Sequence, residues 1–243
     1  MITIQNLSKI FKTSQGKTIA LKNINLEIED GQCVLIAGEN GSGKSVLMSI
    51  IAGLEKPSSG KVLCSWNGKK CKAGLVFQEA ETQILGETPR EDIAFGPKNL
   101  FWKKEKIDYA VKNALESTGL SQKADFPARF LSGGEKRRLA VACMIAMERN
   151  IIIFDEPYAN LDYSGVKQVN SLIQQLKNEK CTVIILTHEI EKCLALADRF
   201  VVLFRSEKVF DGQPCDALKE NLEKWNIKNP IGSYKSLEDL VWI

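Results

Sequence analysis

Cys33-Val34-Leu35-Ile36-Ala37, followed at once by Gly38-Glu39-Asn40-Gly41-Ser42-Gly43-Lys44-Ser45, is the stretch that decides the fold. The first five residues are apolar without alternation, which reads as a strand buried on both faces. The next eight satisfy the pattern glycine, any four, glycine, lysine, serine or threonine. Leu47, Ile50, Ile51 and Leu54 then recur at helical spacing. Strand, glycine-rich loop and helix in that order form a phosphate cradle. The glycines let backbone N–H groups turn inward, and the helix presents its positive end to the same charge. Gly38, Asn40, Gly41, Ser42, Gly43, Lys44 and Ser45 are therefore the expected nucleotide-binding set, with Lys44 reaching the β and γ phosphates and the Ser45 hydroxyl on Mg²⁺. A glycine-rich turn with no ligand is the competing reading, and the strand and helix on either side argue against it.

Ile151-Ile152-Ile153-Phe154-Asp155-Glu156 supplies the complement. Four apolar residues fill a central strand, and two acids emerge at its carboxyl end, where ligands sit in open α/β sheets. Asp155 is expected on Mg²⁺, and Glu156 is expected to orient or deprotonate an attacking water. An apolar strand ending in acids is commonly just solvated. Beside a phosphate loop it becomes the carboxylate partner that metal-bound ATP requires.

Outward from these elements, Ile2 and Ile4, then Ile24, Leu26 and Ile28, alternate as strands with one wet face, and Lys12 to Lys17 reads as the turn between them. Lys61 to Trp66 and Leu75 to Phe77 are further strands. From Glu79 to about Asn150 the texture becomes helical, with Ile107, Val111, Ala114, Leu115 and Thr118 on one face. A last helix follows Ser132-Gly133-Gly134 and carries Leu139, Ala142 and Ile145 inward. Beyond residue 150 the spacing predicts a helix through Val166, Val169, Leu172, Ile173 and Leu176. It also predicts a strand at Thr182 to Leu186, a short helix from Glu189 to Ala197, a strand at Phe200 to Phe204 and a helix from Pro214 to Lys224. Leu240, Val241, Trp242 and Ile243 are apolar enough to dock. The expected fold is α/β, a P-loop NTPase core with a mostly parallel central sheet, an antiparallel N-terminal β subdomain and an inserted helical subdomain. Residues 1–243 form one domain: 1–78 and 150–205 as core, 79–149 as helical insert and 206–243 as tail.

The 243 residues carry 33 basic and 30 acidic side chains, so no long-range field marks a nucleic-acid binder. Seven scattered cysteines without a C-x-x-C pair point to a reducing compartment, and Cys33 reads as a small buried hydrophobe. The N-terminus has no signal-peptide pattern, and no apolar run approaches the roughly 20 residues needed to span a bilayer. Membrane attachment would have to come from another subunit.

Leu131-Ser132-Gly133-Gly134-Glu135 resembles the signature motif of ATP-binding cassette (ABC) ATPases, and Pro157 through Asp162 resembles that family's D-loop. Gln78 after Leu75-Val76-Phe77 is similar to the Q-loop, and His188, the single histidine, is similar to the H-loop. The resemblance implies that Gln78 joins the metal site, that His188 donates to the γ-phosphate, and that Phe11 stacks on adenine, for which a core position is the rival reading. It further implies that Ser132, Gly133, Gly134 and Asp162 complete the ATP site of a second ABC subunit, identical or paralogous. A monomer would then be a poor ATPase.

Gly74 to Gln78, Thr82 to Thr88 and Glu91-Asp92-Ile93-Ala94-Phe95-Gly96-Pro97 are similar to a stretch of the energy-coupling-factor ATPases that serve vitamin, cobalt and nickel uptake. That branch implies an ATP-hydrolysing subunit, peripheral on the cytoplasmic face of the cell membrane, with a transmembrane coupling protein received near Gln78 to Pro97 and a separate substrate-binding membrane protein. The chain departs from the branch at Glu79-Ala80, where asparagine and proline are usual, and at Pro89-Arg90. It also ends earlier than many members, which suggests a shortened C-terminal dimerisation segment. The alternative is a soluble cassette ATPase acting on DNA or chromosomes. The absence of heptads and of a basic stripe argues against it.

Overall fold

A computed structural model describes residues 1–14 and 16–232. Strand β1 (Ile2–Thr13) and β2 (Gly16–Ile28) form a long hairpin pairing Ile2 with Ile28 and Thr13 with Gly16. The strands run further into the polar stretch than the expected Lys12 to Lys17 turn. Both strands slip register where Asn6 and Asn23 take positive φ, 48° and 49°. The extra residue in each lets the inward set pass from Ile4 to Leu7 and from Leu21 to Ile24 without turning an apolar side chain to water.

β3 (Cys33–Ala37) leads into α1 (Lys44–Ile51), and β4 (Ser59–Trp66) and β5 (Lys69–Lys70) complete a four-stranded antiparallel sheet ordered β2-β1-β4-β5. β6 (Gly74–Val76) precedes three helices: α2 (Pro89–Asn99), α3 (Lys104–Ser117) and α4 (Gly133–Ala146). β7 (Ile151–Asp155), α5 (Tyr163–Asn178), β8 (Thr182–Leu186), β9 (Arg199–Phe204), β10 (Glu207–Gly212) and α6 (Pro214–Ala217) follow. The central sheet is ordered β10-β9-β3-β8-β7-β6, with every pairing parallel except β10 on β9.

The uniform apolarity of β3 now has its reason. Val34 and Ile36 face α1 and the antiparallel sheet, whereas Cys33, Leu35 and Ala37 face the layer built from α4, α5 and the tail. Truncating Leu35 to alanine would cost about 2–5 kcal/mol by opening that second layer. A third cluster, with Ile93, Val111, Leu115, Leu131 and Leu139 at its centre, holds α2, α3 and α4 together as a helical lobe. α4 begins where the glycines suggested. Ser132 is its N-cap, and a capping box with Glu135 satisfies two end amides.

Two expected helices are absent as such. Glu189 to Ala197 is two 3₁₀ turns, Ile190–Lys192 and Leu194–Leu196, broken at Cys193, whose φ of −147° and ψ of −3° are not helical. The break buries Ile190, Cys193 and Leu194 together and delivers Asp198 to the Cys33 amide, which it accepts at 2.8 Å. Pro214 to Lys224 is likewise α6 plus a 3₁₀ turn, Leu222–Trp225, because Ala217, Leu222 and Trp225 must all reach the central core. The expected docking of Leu240 to Ile243 lies outside the described residues.

Candidate nucleotide site

The loop after β3 is pressed from two sides. A Cβ on Gly38 (φ +154°) would stand 2.1 Å from the Leu203 carbonyl oxygen of β9, and one on Gly43 (φ +101°) 2.3 Å from the Ala20 oxygen of β2. Both positions require glycine by space as well as by dihedral. Gly43 is the N-cap of α1 and brings no capping side chain, and no acid lies in the first turn, so the helix's first amides remain available to an anion. The Ser42 hydroxyl is 1% exposed and has no hydrogen-bond partner among the described residues. An orphaned buried hydroxyl in a glycine cradle fits a phosphate-bearing ligand.

Lys44 is 6% exposed, and its Nζ donates to the Gly38 oxygen at 2.7 Å and the Glu39 oxygen at 3.1 Å. Burial lowers its pKa, opposed by the carboxylates of Glu156, Asp155 and Glu39. At the end of β7, Asp155 Oδ1 accepts from Ser45 Oγ at 3.3 Å. Burial pushes the Asp155 carboxyl above its ordinary value, the Ser45 bond pulls it down, and neighbouring Glu156 adds to the rise. A hydroxyl and a carboxylate converging in this way are the hard oxygen ligands Mg²⁺ takes, with the remaining positions left to water and phosphate. Among the described residues no group of three His, Cys, Asp or Glu is gathered so that it could hold a metal ion.

Glu156 follows in the left-handed region at φ +44°, a costly conformation for a residue with a Cβ. Its amide donates to the Leu186 oxygen at 2.8 Å, which turns the side chain toward the end of β8. There Glu156 Oε1 lies 3.1 Å from His188 Nδ1 and 3.9 Å from Lys44 Nζ, and Oε2 accepts from the His188 amide at 3.3 Å. Three parallel strands thus bring Lys44, Ser45, Asp155, Glu156 and His188 to one carboxyl edge.

The remaining expected residues stand apart. Phe11 lies on the β1 hairpin, half-buried, with Lys9 Nζ 4.8 Å from its ring centroid. Asn40 is exposed on the loop. Asp162 caps α5, accepting from the Gly165 amide at 2.7 Å. Ser132 and Gly133 are exposed at the start of α4. Gln78, Gly133 and the segment Ala159-Asn160-Leu161 line a common cavity of about 200 Å³. No pattern of spacing in the sequence foretold that meeting. Nor did any foretell the buried Tyr158 hydroxyl, which donates to Asn170 while Asn170 Nδ2 donates to the Lys192 oxygen, joining the segment after Glu156 to the one after His188. Asn170 sits on a helix whose sequence reads only as amphipathic.

The family model described as ABC transporter matches residues 21–159, more than half of the chain. The chain belongs to the ABC transporter ATPases. Within that family it is 39% identical over 250 aligned residues to the energy-coupling factor transporter ATP-binding protein EcfA2 of Clostridium perfringens, covering 96% of this chain and 87% of that one. It is 36% identical to an ABC transporter ATP-binding protein of Methanosarcina mazei over 95% of its own length but only 53% of the relative's, so it spans about half of that protein. Among solved structures, cbiO1 of Clostridium perfringens, described as part of the ABC transporter complex cbiONQ, superposes with a TM-score of 0.79 at 32% identity, covering 94% of this chain and 95% of that one. This ABC protein is accordingly an ATP-binding and ATP-hydrolysing subunit of the energy-coupling-factor type. No helix among its described residues is long and apolar enough to cross a membrane.

Proposed function

We propose that this chain powers import of a vitamin or a transition-metal ion from the cytoplasmic face of the cell membrane, as one of two ABC ATPase subunits bound to a transmembrane coupling protein and a separate substrate-binding membrane protein. The observation that carries the reading is the convergence of Lys44, Ser45, Asp155, Glu156 and His188 on the glycine loop.

In this reading the loop from Gly38 to Ser45 binds the phosphates, and Lys44 exchanges its two carbonyl partners for phosphate oxygens. Ser45, Asp155 and Gln78 hold Mg²⁺, which when bound neutralises charge on the β and γ phosphates. Glu156 orients the attacking water and accepts its proton, and His188, tied to Glu156, faces the transferring group. Phe11 offers a π face to adenine. Ser132, Gly133, Gly134 and Asp162 serve the site of the second subunit, which accounts for the exposure of Ser132 and Gly133 at an open helix start. The division into core (1–78 and 150–205), helical insert (79–149) and tail supports closure of one lobe on the other.

The tagged chain, recovered from detergent-solubilised membranes of its host, is expected to carry a stoichiometric integral membrane protein and a second cassette subunit, and to hydrolyse Mg-ATP. Recovery with chromosomal partners, or alone with full activity, would discard the transport assignment.

A further inference from the structure

Arg137, on the second turn of α4, is 6% exposed, yet only one of its guanidinium nitrogens is satisfied: Nη2 donates to the Gln78 carbonyl at 3.4 Å. Its Nε and Nη1 have no partner. A guanidinium carries five donors and stays charged, so a buried one lacking acceptors is a costly arrangement that calls for an explanation. The side chain borders the cavity of about 200 Å³ shared by Gln78, Glu79, Glu81, Gly133, Lys136 and Asn160.

Two carboxylates border the same space. Glu81 is taken, because Lys136 Nζ donates to it at 2.7 Å. Glu79 is exposed, and among the described residues its carboxylate has no hydrogen-bonding or ionic partner. One buried cation with two unpartnered donors and one carboxylate without a partner thus border a single small cavity, beside the ion pair already made by Lys136 and Glu81. Glu79 adjoins Gln78, the candidate metal ligand, and is one of the positions at which the chain departs from the family it resembles. The backbone at Glu79 is a loop dihedral (φ −96°, ψ 83°) that leads into the 3₁₀ turn Ala80–Gln83, and the side chain is exposed.

We propose that Glu79 and Arg137 form an ion pair that closes only when nucleotide draws Gln78 toward the phosphate loop, making Arg137 a positioning residue that ties the signature helix to the state of the ATP site. A planar guanidinium offers its parallel donor pairs as Nε with Nη2 or Nη1 with Nη2, so once the Gln78 carbonyl leaves Nη2 the Glu79 carboxylate can take a two-bond fork that includes one of the two orphaned donors. The proposal rests on the ATP site described above.

The test is a double-mutant cycle on the full chain assembled with its partners, using Glu79→Gln, Arg137→Met and both together, with and without Mg-ATP. Thermal unfolding would be followed in a Glu156→Gln background that retains nucleotide, and turnover in the parent background. Without nucleotide, Arg137→Met should unfold no earlier than the parent, since it removes unsatisfied donors from a buried site. With Mg-ATP, each single variant should lose much of the nucleotide-induced rise in unfolding temperature, and the double variant should lose no more than either. Turnover should fall about tenfold with the KM for ATP changed less than twofold, and Arg137→Lys, which keeps the charge, should recover part of it. Additive losses, coupling of equal size without nucleotide, or unchanged turnover in Arg137→Met would overturn the pair. A parent chain with no response to Mg-ATP would overturn the ATP-site reading itself, and the pair with it.

Discussion

His188 Nδ1 lies 3.1 Å from Glu156 Oε1, and the same histidine's backbone amide donates to the other carboxylate oxygen at 3.3 Å. The two residues are 32 positions apart and leave the ends of adjacent parallel strands. Glu156 takes a left-handed φ to make this contact, so the geometry is held against a local cost by the fold around it.

Glu156→Gln is expected to keep ATP affinity and to lower turnover by about 10² or more, since the amide keeps the shape but cannot accept a proton. His188→Ala should cost less, because Glu156 retains Lys44 nearby. Steady-state hydrolysis beside equilibrium nucleotide titration decides both; full turnover in Glu156→Gln would remove it as the main base.

Lys44→Ala should weaken ATP binding by about tenfold or more, the loss of one charge-assisted contact to phosphate. Folding should survive, because the two carbonyls that Lys44 now occupies lie on the loop itself and water can replace it there. Unchanged affinity in a titration would contradict the loop assignment.

Asp155→Asn should separate stability from function. Burial raises the native carboxyl's pKa above its reference of 3.8, so the folded state holds the proton more tightly than the unfolded one. Stability therefore falls as pH rises from the unfolded value through the folded one, and the cost is fully present at neutral pH. The asparagine should raise the unfolding temperature at pH 7, leave it unchanged near pH 3.5, and lose Mg²⁺-dependent ATP binding. A lower unfolding temperature at pH 7 would count against the site being strained for function.

Asp211 has the opposite sign. Burial alone would raise it, but Arg199 in a two-bond fork at 2.6 and 2.8 Å and the Lys208 ammonium outweigh that and hold it below 3.8. Its contribution is present above the unfolded value and is lost as pH falls through the folded one. Asp211→Asn should cost about 1–3 kcal/mol at pH 7, and the gap should narrow as pH falls from 3.8 through the lower folded value. Denaturant midpoints across that range measure it.

What the chain announces by itself is whatever local pattern encodes. The unbroken apolarity of Cys33 to Ala37 and of Ile151 to Phe154, the glycines from Gly38 to Gly43, and the acids at the end of their strand carry the fold class and most candidate site residues. Each is a run of a few residues whose geometry follows from propensity and spacing. The breaks at Cys193 and before Leu222 were hidden, since periodicity there favours continuous helices and only the need to bury Leu194 and Trp225 in a core made by distant strands opposes them. Tertiary structure alone decided that Gly38 meets Leu203, that Glu156 meets His188, and that Gln78, Gly133 and Asn160 share a cavity with an unsatisfied arginine. Those meetings depend on the strand order β9-β3-β8-β7, and that order is set by packing two apolar faces at once, a balance summed over the whole core.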